Sequence, residues 1–412
     1  MTSEPWFLQD RACGRAHGWE RGDAVKVTFF AREYPPNVYG GAGVHVKNLA
    51  RELARSIDVE VRCFGEQDVT EGRLRVIGYQ AWPRMWEGED KQFHTALGAF
   101  SVNLSMVRDR VDADVVHSHT WYGAMSGFMA KVLYNVPYVA TVHSLEPLRP
   151  WKEEQLGRSY GLSLWVEKLA LENADRIVAV SHDSRREILE LFNVEPHRVV
   201  VIYNGIDLGA WRRVDGNATC RAYGIDGDYI LFVGRTSRQK GMAHLIDAMR
   251  DVDSGVRLVC CTSAPDTPEM EEEISAKVAG QSRIVWINTL LREDQYIELY
   301  SNASVFVCPS VYEPFGIINL EAMACERAVV ASAVGGITEV VVPEKTGLLV
   351  PPADPKALAE ALNRVLCDRP MARRMGLAGR RRVEQQFSWT AIAERTKAMY
   401  EELLQARKAG RI

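Results

Sequence analysis

Charged side chains stand in loops that follow predicted strands in the second half of the chain. Arg235 and Lys240 come after a β-branched run ending at Gly234, and Glu313 follows another such run. Fixed cations between a strand and a helix suit a diphosphate, because guanidinium and ammonium groups form charge-assisted hydrogen bonds with phosphate oxygens. Glu313 and Glu321, the latter two turns into a predicted helix, could accept hydrogen bonds from sugar and ribose hydroxyls. A solvated basic loop with exposed carboxylates is the alternative interpretation.

Two glycine-containing turns precede predicted helices and favour the same ligand class. Gly40-Gly41-Ala42-Gly43 follows the first strand, and Phe315-Gly316 precedes a helix that begins at Ile317-Ile318. Small residues let the backbone approach a ligand closely, and the free N–H groups of a helix N-terminus attract phosphate. The first turn matches neither GxGxxG nor GxxxxGK[ST], so neither a dinucleotide fingerprint nor a P-loop is predicted. A tight turn without a ligand is the alternative.

A histidine and two further cations lie in the first half of the chain. His143 closes the predicted strand Tyr138–Val142, and the loop after it contains Ser144, Arg149 and Lys152. The carboxyl end of a parallel strand is where ligands bind, so we expect His143 to point into a cleft. The two cations suit a phosphorylated second substrate. Surface ion pairs with the glutamates that follow them are the alternative.

The sequence does not predict a metal centre. His117 and His119 end a strand and could bind an ion, but no third ligand is evident. Three Asp-x-Asp triplets precede strands or lie in a connecting loop, away from the strand ends where a ligand would bind. The eight cysteines form no CxxC pair, so neither a disulfide framework nor a zinc site is predicted. We therefore expect an activity that requires no metal or other cofactor.

Strands and helices alternate along nearly the whole chain, and this alternation must position the charged residues. Six β-branched runs precede residue 204 and six more follow residue 228, with helical patterns between most of them. The pattern predicts an α/β fold with parallel sheets covered by helices on both faces. It is interrupted over 204–216, where we place a hinge between two doubly wound domains. Ser388 is the predicted N-cap of a last helix, Trp389–Ala406, and the ligand site is expected between the domains.

Composition and charge exclude several classes of function. At about 150 residues per domain, 412 residues indicate two or three domains. The net charge of −4 argues against a globally basic nucleic-acid-binding protein. No apolar run approaches the roughly 20 residues of a spanning helix, and the polar extension over residues 1–23 lacks a signal-peptide core. We therefore expect a cytoplasmic protein with neither nucleic acid nor membrane as a partner, and the sequence is compatible with a homodimer.

The motifs together resemble a known family. The run from Arg32 to Val46 is similar to the N-terminal loop of glycogen synthases and related retaining glycosyltransferases. The Arg235/Lys240 loop and the Glu313/Glu321 pair match the same superfamily, whose fold, GT-B, has two doubly wound Rossmann-like domains facing each other across a cleft. More narrowly, the segment Thr141–Lys152 and the run Pro309–Glu313 resemble the actinobacterial-type glycogen synthases of glycosyltransferase family 4. That group is understood chiefly as α-maltose-1-phosphate synthases.

This resemblance implies a division of the chain and a reaction. Residues 24–205 would form an acceptor-side domain, 206–387 a domain that binds the nucleotide sugar, and 388–412 a helix that crosses back. The enzyme would transfer glucose from ADP-glucose, or UDP-glucose, with retention at the anomeric carbon and without a metal. The acceptor would be glucose 1-phosphate, giving α-maltose 1-phosphate for glycogen synthesis. Elongation of the non-reducing end of an α-1,4-glucan is the alternative.

The roles of the family's site residues pass to matching positions of this sequence. Arg235 and Lys240 would neutralise the leaving diphosphate, Glu313 would hold the donor sugar, and His143 would lie beside the transferring glucose. Donor contacts are further expected from Gly41, Phe315, Gly316, Ile317, Ile318 and, at the ribose, Glu321, and acceptor contacts from Ser144, Arg149 and Lys152.

Two other functions remain compatible with such a cleft. A GT-B sugar-nucleotide 2-epimerase would use the same site and would consume the nucleotide sugar without a separate acceptor. A non-catalytic, two-lobed sugar-binding protein would normally carry a secretion signal and would not need Arg235, Lys240 and Glu313 to converge. Release of nucleoside diphosphate that depends on an acceptor distinguishes transfer from both.

Overall fold

The computed structural model describes residues 24–38, 40–87, 90, 93–253, 255–263 and 265–411. The predicted polar extension over residues 1–23 lies outside the described residues. Two separate sheets form the framework of the described chain, as the alternation of strands and helices predicts.

The first sheet has eight strands in the order β3-β4-β2-β1-β5-β6-β7-β8. They are β1 (Lys26–Phe30), β2 (Asp58–Phe64), β3 (Asp68–Glu71), β4 (Leu74–Tyr79), β5 (Val115–His119), β6 (Tyr138–Val142), β7 (Arg176–Ala179) and β8 (Val199–Val201). All neighbouring strands are parallel except β3, which pairs antiparallel with β4. The central strands β5 and β6 are buried along their whole length, which explains their near-continuous apolar character.

The second sheet has six strands, all parallel, in the order β11-β10-β9-β12-β13-β14. They are β9 (Tyr229–Arg235), β10 (Arg257–Ser263), β11 (Ile284–Ile287), β12 (Val305–Cys308), β13 (Val329–Ser332) and β14 (Gly347–Val350). Each corresponds to one of the six runs predicted for this half, so the prediction of a second parallel sheet is confirmed.

Helices cover both faces of each sheet, and a separate apolar cluster lies on each face. They are α1 (Gly41–Leu53), α2 (His94–Arg108), α3 (Thr120–Tyr134), α4 (Lys152–Leu156), α5 (Tyr160–Asn173), α6 (His182–Leu191), α7 (Ala218–Ala222), α8 (Met242–Ala248), α9 (Pro268–Val278), α10 (Glu293–Asn302), α11 (Ile317–Ala324), α12 (Ile337–Val340), α13 (Pro355–Cys367), α14 (Arg369–Gln386) and α15 (Trp389–Lys408). This layering is the doubly wound α/β arrangement that the sequence predicts.

The chain passes between the two halves twice, and the two passages touch. The backbone N–H of Ile206 donates to the carbonyl oxygen of Phe387 at 2.8 Å. Helix α15 begins directly afterwards, and the hydroxyl of Ser388 accepts a hydrogen bond from the N–H of Ala391 at 3.3 Å, which confirms the predicted N-cap. The apolar face of α15, including Tyr400, packs against the first sheet.

The hairpin β3–β4 was not predicted. All four residues of β3 are exposed, so this strand carries no apolar alternation that sequence analysis could detect.

The cysteines agree with the prediction of no disulfide framework. Six of the seven within the described residues are buried thiols, and none of these seven forms a disulfide. Among the described residues, no helix combines the length and the apolar character that crossing a membrane requires.

Candidate active site

Loops at the carboxyl ends of both sheets meet in a cleft. A Cβ atom on Gly41, at the start of α1, would lie 3.4 Å from Cδ1 of Ile317, at the start of α11. The N–H of Leu145 donates to the hydroxyl of Tyr312 at 3.2 Å across the same boundary. Loops that carry predicted site residues are therefore brought together from two different sheets.

Lys240 and Glu313 form a close ion pair at the cleft. Lys240 Nζ donates to Glu313 Oε2 at 2.5 Å, and the hydroxyl of Ser310 donates to the same oxygen at 3.2 Å. Both side chains are largely buried, with 15% and 8% exposure. Lys240 is followed by Gly241, which has a φ of +68° and lies against the carbonyl oxygen of Pro309, so the loops after β9 and β12 pack tightly. This contact fixes the ammonium group before α8 begins.

Arg235 ends β9 and is held by a carboxylate that sequence analysis missed. Its Nη1 atom donates to Oδ1 of Asp266 at 2.5 Å, and Nη2 lies 3.4 Å from Oε1 of Gln239. Asp266 follows β10, so its place after a strand end was the available signal. The guanidinium is therefore oriented by two partners, while 26% of the side chain is exposed.

The N-terminus of α11 faces the cleft through its backbone. Gly316 precedes the helix with a φ of +89°, a conformation that favours glycine, and Ile317 and Ile318 form the first turn. The Phe315 ring, in contrast, is buried between the rings of Tyr203 and Phe387, at centroid distances of 5.8 and 6.0 Å. Any donor contact at this position therefore comes from backbone atoms.

Glu321 lies on α11, and its carboxylate is partly occupied. Oε2 accepts a hydrogen bond from the hydroxyl of Tyr300 at 2.9 Å. Burial raises the pKa of Glu321 to about 7, so this carboxyl group is partly protonated near neutral pH. The interpretation of Glu321 as an exposed helix residue is therefore wrong, because this side chain is half-buried and bonded to a tyrosine.

The glycine turn before α1 is closed by a carboxylate. The N–H of Gly40 donates to Oε2 of Glu33 at 3.0 Å, and a Cβ atom on Gly43 would overlap the Glu33 side chain. Gly41 is the first residue of α1, whose N-terminal N–H groups have no intrahelical partners. The turn thus presents backbone donors next to α11.

His143 follows β6 and belongs to a group of four imidazoles, of which His45, His117 and His119 are buried and His143 is half-buried. One of its nitrogens, Nε2, lies 3.2 Å from Nδ1 of His119, and its ring centroid is 4.7 Å from that of His45. His117 is also buried, and its two nitrogens bond to the hydroxyls of Tyr400 and Thr141, both at 2.6 Å. Burial lowers the pKa of all four histidines, that of His45 to about 4, so the group is neutral near pH 7.

Arg149 is anchored by a buried carboxylate pair. Its Nη1 atom lies 3.2 Å from Oε1 of Glu146 and 3.0 Å from the hydroxyl of Ser144, while its Nε atom is buried without a partner among the described residues. Glu146 is held in turn, because its N–H donates to Glu167 at 2.8 Å and its second oxygen accepts from the hydroxyl of Ser163 at 3.0 Å. The alternative of surface ion pairs is therefore wrong for Arg149.

Lys152 begins α4 close to both sets of cations. Its Nζ atom donates to Oε1 of Gln155 at 2.6 Å, and Gln155 reaches across the cleft to the carbonyl oxygen of Asp266 at 3.2 Å. Burial, together with the nearby charges of Arg149 and Arg235, lowers the pKa of Lys152 to about 8. Three cations therefore converge where the loops after β6, β9 and β10 meet, as an anionic ligand would require.

This arrangement can bind a diphosphate on one side and a second anion on the other. Arg235, Lys240 and the first turn of α11 supply fixed positive potential on the side of the second sheet. Arg149 and Lys152 supply it on the side of the first sheet. Because these groups are already held in place, they would stabilise charge that develops during a reaction without reorganising.

Comparison with known proteins gives the chain its family. Residues 39–210 match the family described as Glycosyltransferase Family 4, and residues 222–382 match Glycosyl transferases group 1. Alpha-maltose-1-phosphate synthase from Mycolicibacterium smegmatis is 45% identical over 392 residues, covering 91% of this chain and 99% of that protein. Glycogen synthase from Mycobacterium tuberculosis is 30% identical over 402 residues, covering 91% and 94%.

Structural comparison agrees with the sequence relatives. Sucrose-phosphate synthase from Thermosynechococcus elongatus has a TM-score of 0.77 and 28% identity, with 93% of this chain and 100% of that chain covered. Both halves of the fold are thus shared with a glycosyltransferase along nearly the whole chain. The chain belongs to the retaining GT-B glycosyltransferases of family 4, in the group of the actinobacterial-type glycogen synthases and α-maltose-1-phosphate synthases.

Proposed function

We propose that this glycosyltransferase moves glucose from ADP-glucose to glucose 1-phosphate and forms α-maltose 1-phosphate with retention at the anomeric carbon. The single observation that carries the choice of acceptor is the second cation group, in which the buried Arg149 and the half-buried Lys152 have partners other than the Lys240–Glu313 pair. A relative at 45% identity bears the name of this reaction.

On the donor side, Arg235 and Lys240 bind the diphosphate, which gains negative charge as the glycosidic bond breaks. Their contribution is larger in the transition state than in the ground state, and this difference accelerates the reaction. Lys240 then exchanges part of its contact with Glu313 for a phosphate oxygen. The released carboxylate accepts hydrogen bonds from the hydroxyls of the donor sugar, and Glu321 accepts from the ribose.

On the acceptor side, Arg149 and Lys152 bind the phosphate of glucose 1-phosphate. The unpartnered Nε of Arg149 offers a free donor, and Glu146 holds the guanidinium so that little side-chain entropy is lost on binding. A neutral glucan end would bring no further anion to this cation cluster. The pKa of Lys152 is lowered by burial and by the charges of Arg149 and Arg235, and a bound phosphate would offset both effects, which supports an anionic acceptor.

Elongation of an α-1,4-glucan is the second candidate, favoured by a relative named glycogen synthase at 30% identity. We test the two by incubating the protein with ADP-glucose or UDP-glucose and with either acceptor, and by identifying the products. The proposal expects α-maltose 1-phosphate as the main product and ADP-glucose as the better donor. Donor consumption without an acceptor would instead favour a 2-epimerase.

The decisive variant is Arg149→Ala. We expect kcat/KM for glucose 1-phosphate to fall by about 10²-fold, because a charge-assisted bond to phosphate is worth about 1.5–3 kcal/mol, while ADP-glucose binding and any glucan elongation change far less. Arg158→Ala is the matched control, since Arg158 is an exposed cation shortly after α4. Equal losses with both acceptors, or no loss with either, would contradict the proposed role.

A further inference from the structure

We propose that His45, His119 and His143 form a binding site for a transition-metal ion of the zinc class, and that an ion bound there inhibits the transfer reaction. The binding rests on geometry alone. The inhibition rests on the proposed function, in which His143 lies beside the transferring glucose.

The three imidazoles come from three different elements and point to one place. His45 lies on α1, His119 ends β5, and His143 follows β6. One ring nitrogen of each lies within 4.8 Å of the corresponding nitrogens of the other two. Two nitrogens on one tetrahedral zinc ion are about 3.3 Å apart, given zinc–nitrogen distances of about 2.0–2.1 Å. The three nitrogens therefore have to approach one another by at most about 1.5 Å to bind one ion.

The hydrogen bonds of the group leave ring nitrogens without partners. Nδ1 of His45 donates to Oδ1 of Asn204 at 2.6 Å, so its Nε2 atom carries a free lone pair, and that atom is buried with no hydrogen-bond partner in the described part of the chain. Nε2 of His119 is likewise buried and has no partner among those residues. Burying a polar atom without a hydrogen bond is unfavourable, and coordination of an ion would remove this penalty. Both side chains are 1% exposed.

The neighbouring His117 shows why the set has three members. Its ring lies 4.4 Å from that of His119, yet both of its nitrogens already bond to hydroxyl groups. The bond from His45 to Asn204 has the form of an outer-shell contact, in which a metal-ligating histidine donates its other N–H to a carbonyl oxygen. The group thus contains three candidate ligands and one hydrogen-bonded neighbour.

The chemistry of the ligands selects the ion. Three neutral imidazoles without a carboxylate or thiolate suit Zn²⁺, Cu²⁺, Ni²⁺ or Co²⁺, whereas Mg²⁺ and Ca²⁺ prefer oxygen ligands. Each neutral imidazole binds the ion through its nitrogen without hydrogen and keeps its hydrogen on the other nitrogen, so no proton is lost overall. The ion would hold His143 by its ring and leave one coordination position open.

Titration of the metal-free, full-length protein with Co²⁺, followed by visible absorption, tests the binding. We expect one equivalent bound in a site of low coordination number, and at least about 10-fold weaker binding in both His45→Gln and His119→Gln. His197→Gln and Cys367→Ser are controls, because these exposed side chains lie outside the cleft. Circular dichroism of each variant confirms that it is folded.

Activity assays test the inhibition separately. Zn²⁺ is expected to abolish transfer by the natural protein and by His197→Gln, and EDTA is expected to restore it. Cobalt affinity that is the same in the natural protein and in both triad variants would overturn the site. Binding at the triad with full activity in zinc would overturn the inhibition. A protein that binds cobalt at the triad but never transfers glucose would contradict only the proposed function.

Discussion

The Lys240–Glu313 ion pair places a cation and a carboxylate in the cleft before any donor arrives. Neither side chain is free to rotate into solvent, because the pair is buried and Ser310 donates to the same carboxylate. This geometry makes Lys240 both a charge that stabilises the leaving diphosphate and the partner of a buried acid. Substitution of Lys240 therefore has two consequences, one for the reaction and one for the fold.

Arg235→Ala and Lys240→Ala are each expected to lower turnover by about 10²–10³-fold, as loss of one preorganised charge-stabilising group does in other enzymes. Lys240→Ala should also lower the free energy of unfolding by about 1–3 kcal/mol, because Glu313 loses its partner. Steady-state kinetics and urea denaturation measure the two effects. Arg238→Ala, which removes a half-exposed cation of the same loop, should retain near-natural turnover. If Arg235→Ala or Lys240→Ala turns over as fast as the natural protein, the role proposed for that residue is refuted.

Lys152 gives the reaction a pH dependence. Its pKa of about 8 means that the cation is present below pH 8 and is lost as the pH rises through that value. Above pH 8, kcat/KM for glucose 1-phosphate should therefore fall by up to about tenfold per pH unit. Lys152→Arg should remove this alkaline decline, since a guanidinium stays charged. An identical decline in Lys152→Arg would assign the titration to another group.

At the scale of elements, each side chain of the site is positioned by a strand end and the turn that follows it. The turn after β9 is the clearest case, because Gly241 lies against the carbonyl oxygen of Pro309, which follows β12. A Cβ atom at this position would lie 2.0 Å from that oxygen. The contact joins the loop that carries Lys240 to the loop that carries Glu313.

Gly241→Ala is expected to lower the free energy of unfolding by about 2–4 kcal/mol and to reduce turnover, because the two loops must move apart. Gly224→Ala is a matched control: Gly224 also has a positive φ, +62°, but a Cβ atom there would meet nothing within 4 Å. The control should lose only the backbone strain, about 1–2 kcal/mol. Equal losses in the two variants would show that the contact with Pro309 does not matter.

Strand ends were predictable from the sequence, whereas the partners at those ends were not. The run Tyr229–Gly234 predicts β9 and therefore the position of Arg235 at its end, because a β-branched segment followed by a polar turn is a signal within the local sequence. Asp266, which holds Arg235, comes from a different strand and has no local feature that pairs the two. For the same reason, the sequence did not predict that His45 joins His119 and His143. The proximity of His45 to His119 depends on how α1 packs on β5.

At the scale of the whole molecule, polar contacts around one carboxylate join the two halves beside the apolar ones. Glu339, on α12, accepts hydrogen bonds from the N–H groups of His182 and Asp183 at the start of α6, both at 3.0 Å. The hydroxyl of Tyr203, in the passage between the halves, donates to the same carboxylate at 3.0 Å. A carboxylate at a helix N-terminus is favourable, so Glu339 stabilises the closed arrangement of the halves.

We expect the halves to close further around the substrates, because the proposed contacts come from both sides of the cleft. X-ray scattering should show a smaller radius of gyration with ADP and glucose 1-phosphate than without them. Glu339→Ala should increase the radius of the ligand-free protein and enlarge the change on binding. An unchanged radius in a fully active sample, for both proteins, would argue against closure.

Helix α15 also affects the order in which the two halves can fold during synthesis. Tyr400 and Leu403 belong to the apolar cluster on one face of the first sheet, yet they are synthesised after every strand of the second sheet. The strands β1 and β2 are synthesised more than three hundred residues before α15, so the part of that face that α15 covers, beside α1, stays exposed until then. The second sheet has no such dependence, so during synthesis it can complete its core first, which reverses the usual N-terminal-first order of domain folding. Until α15 emerges, chaperones have an apolar surface of the nascent chain to protect.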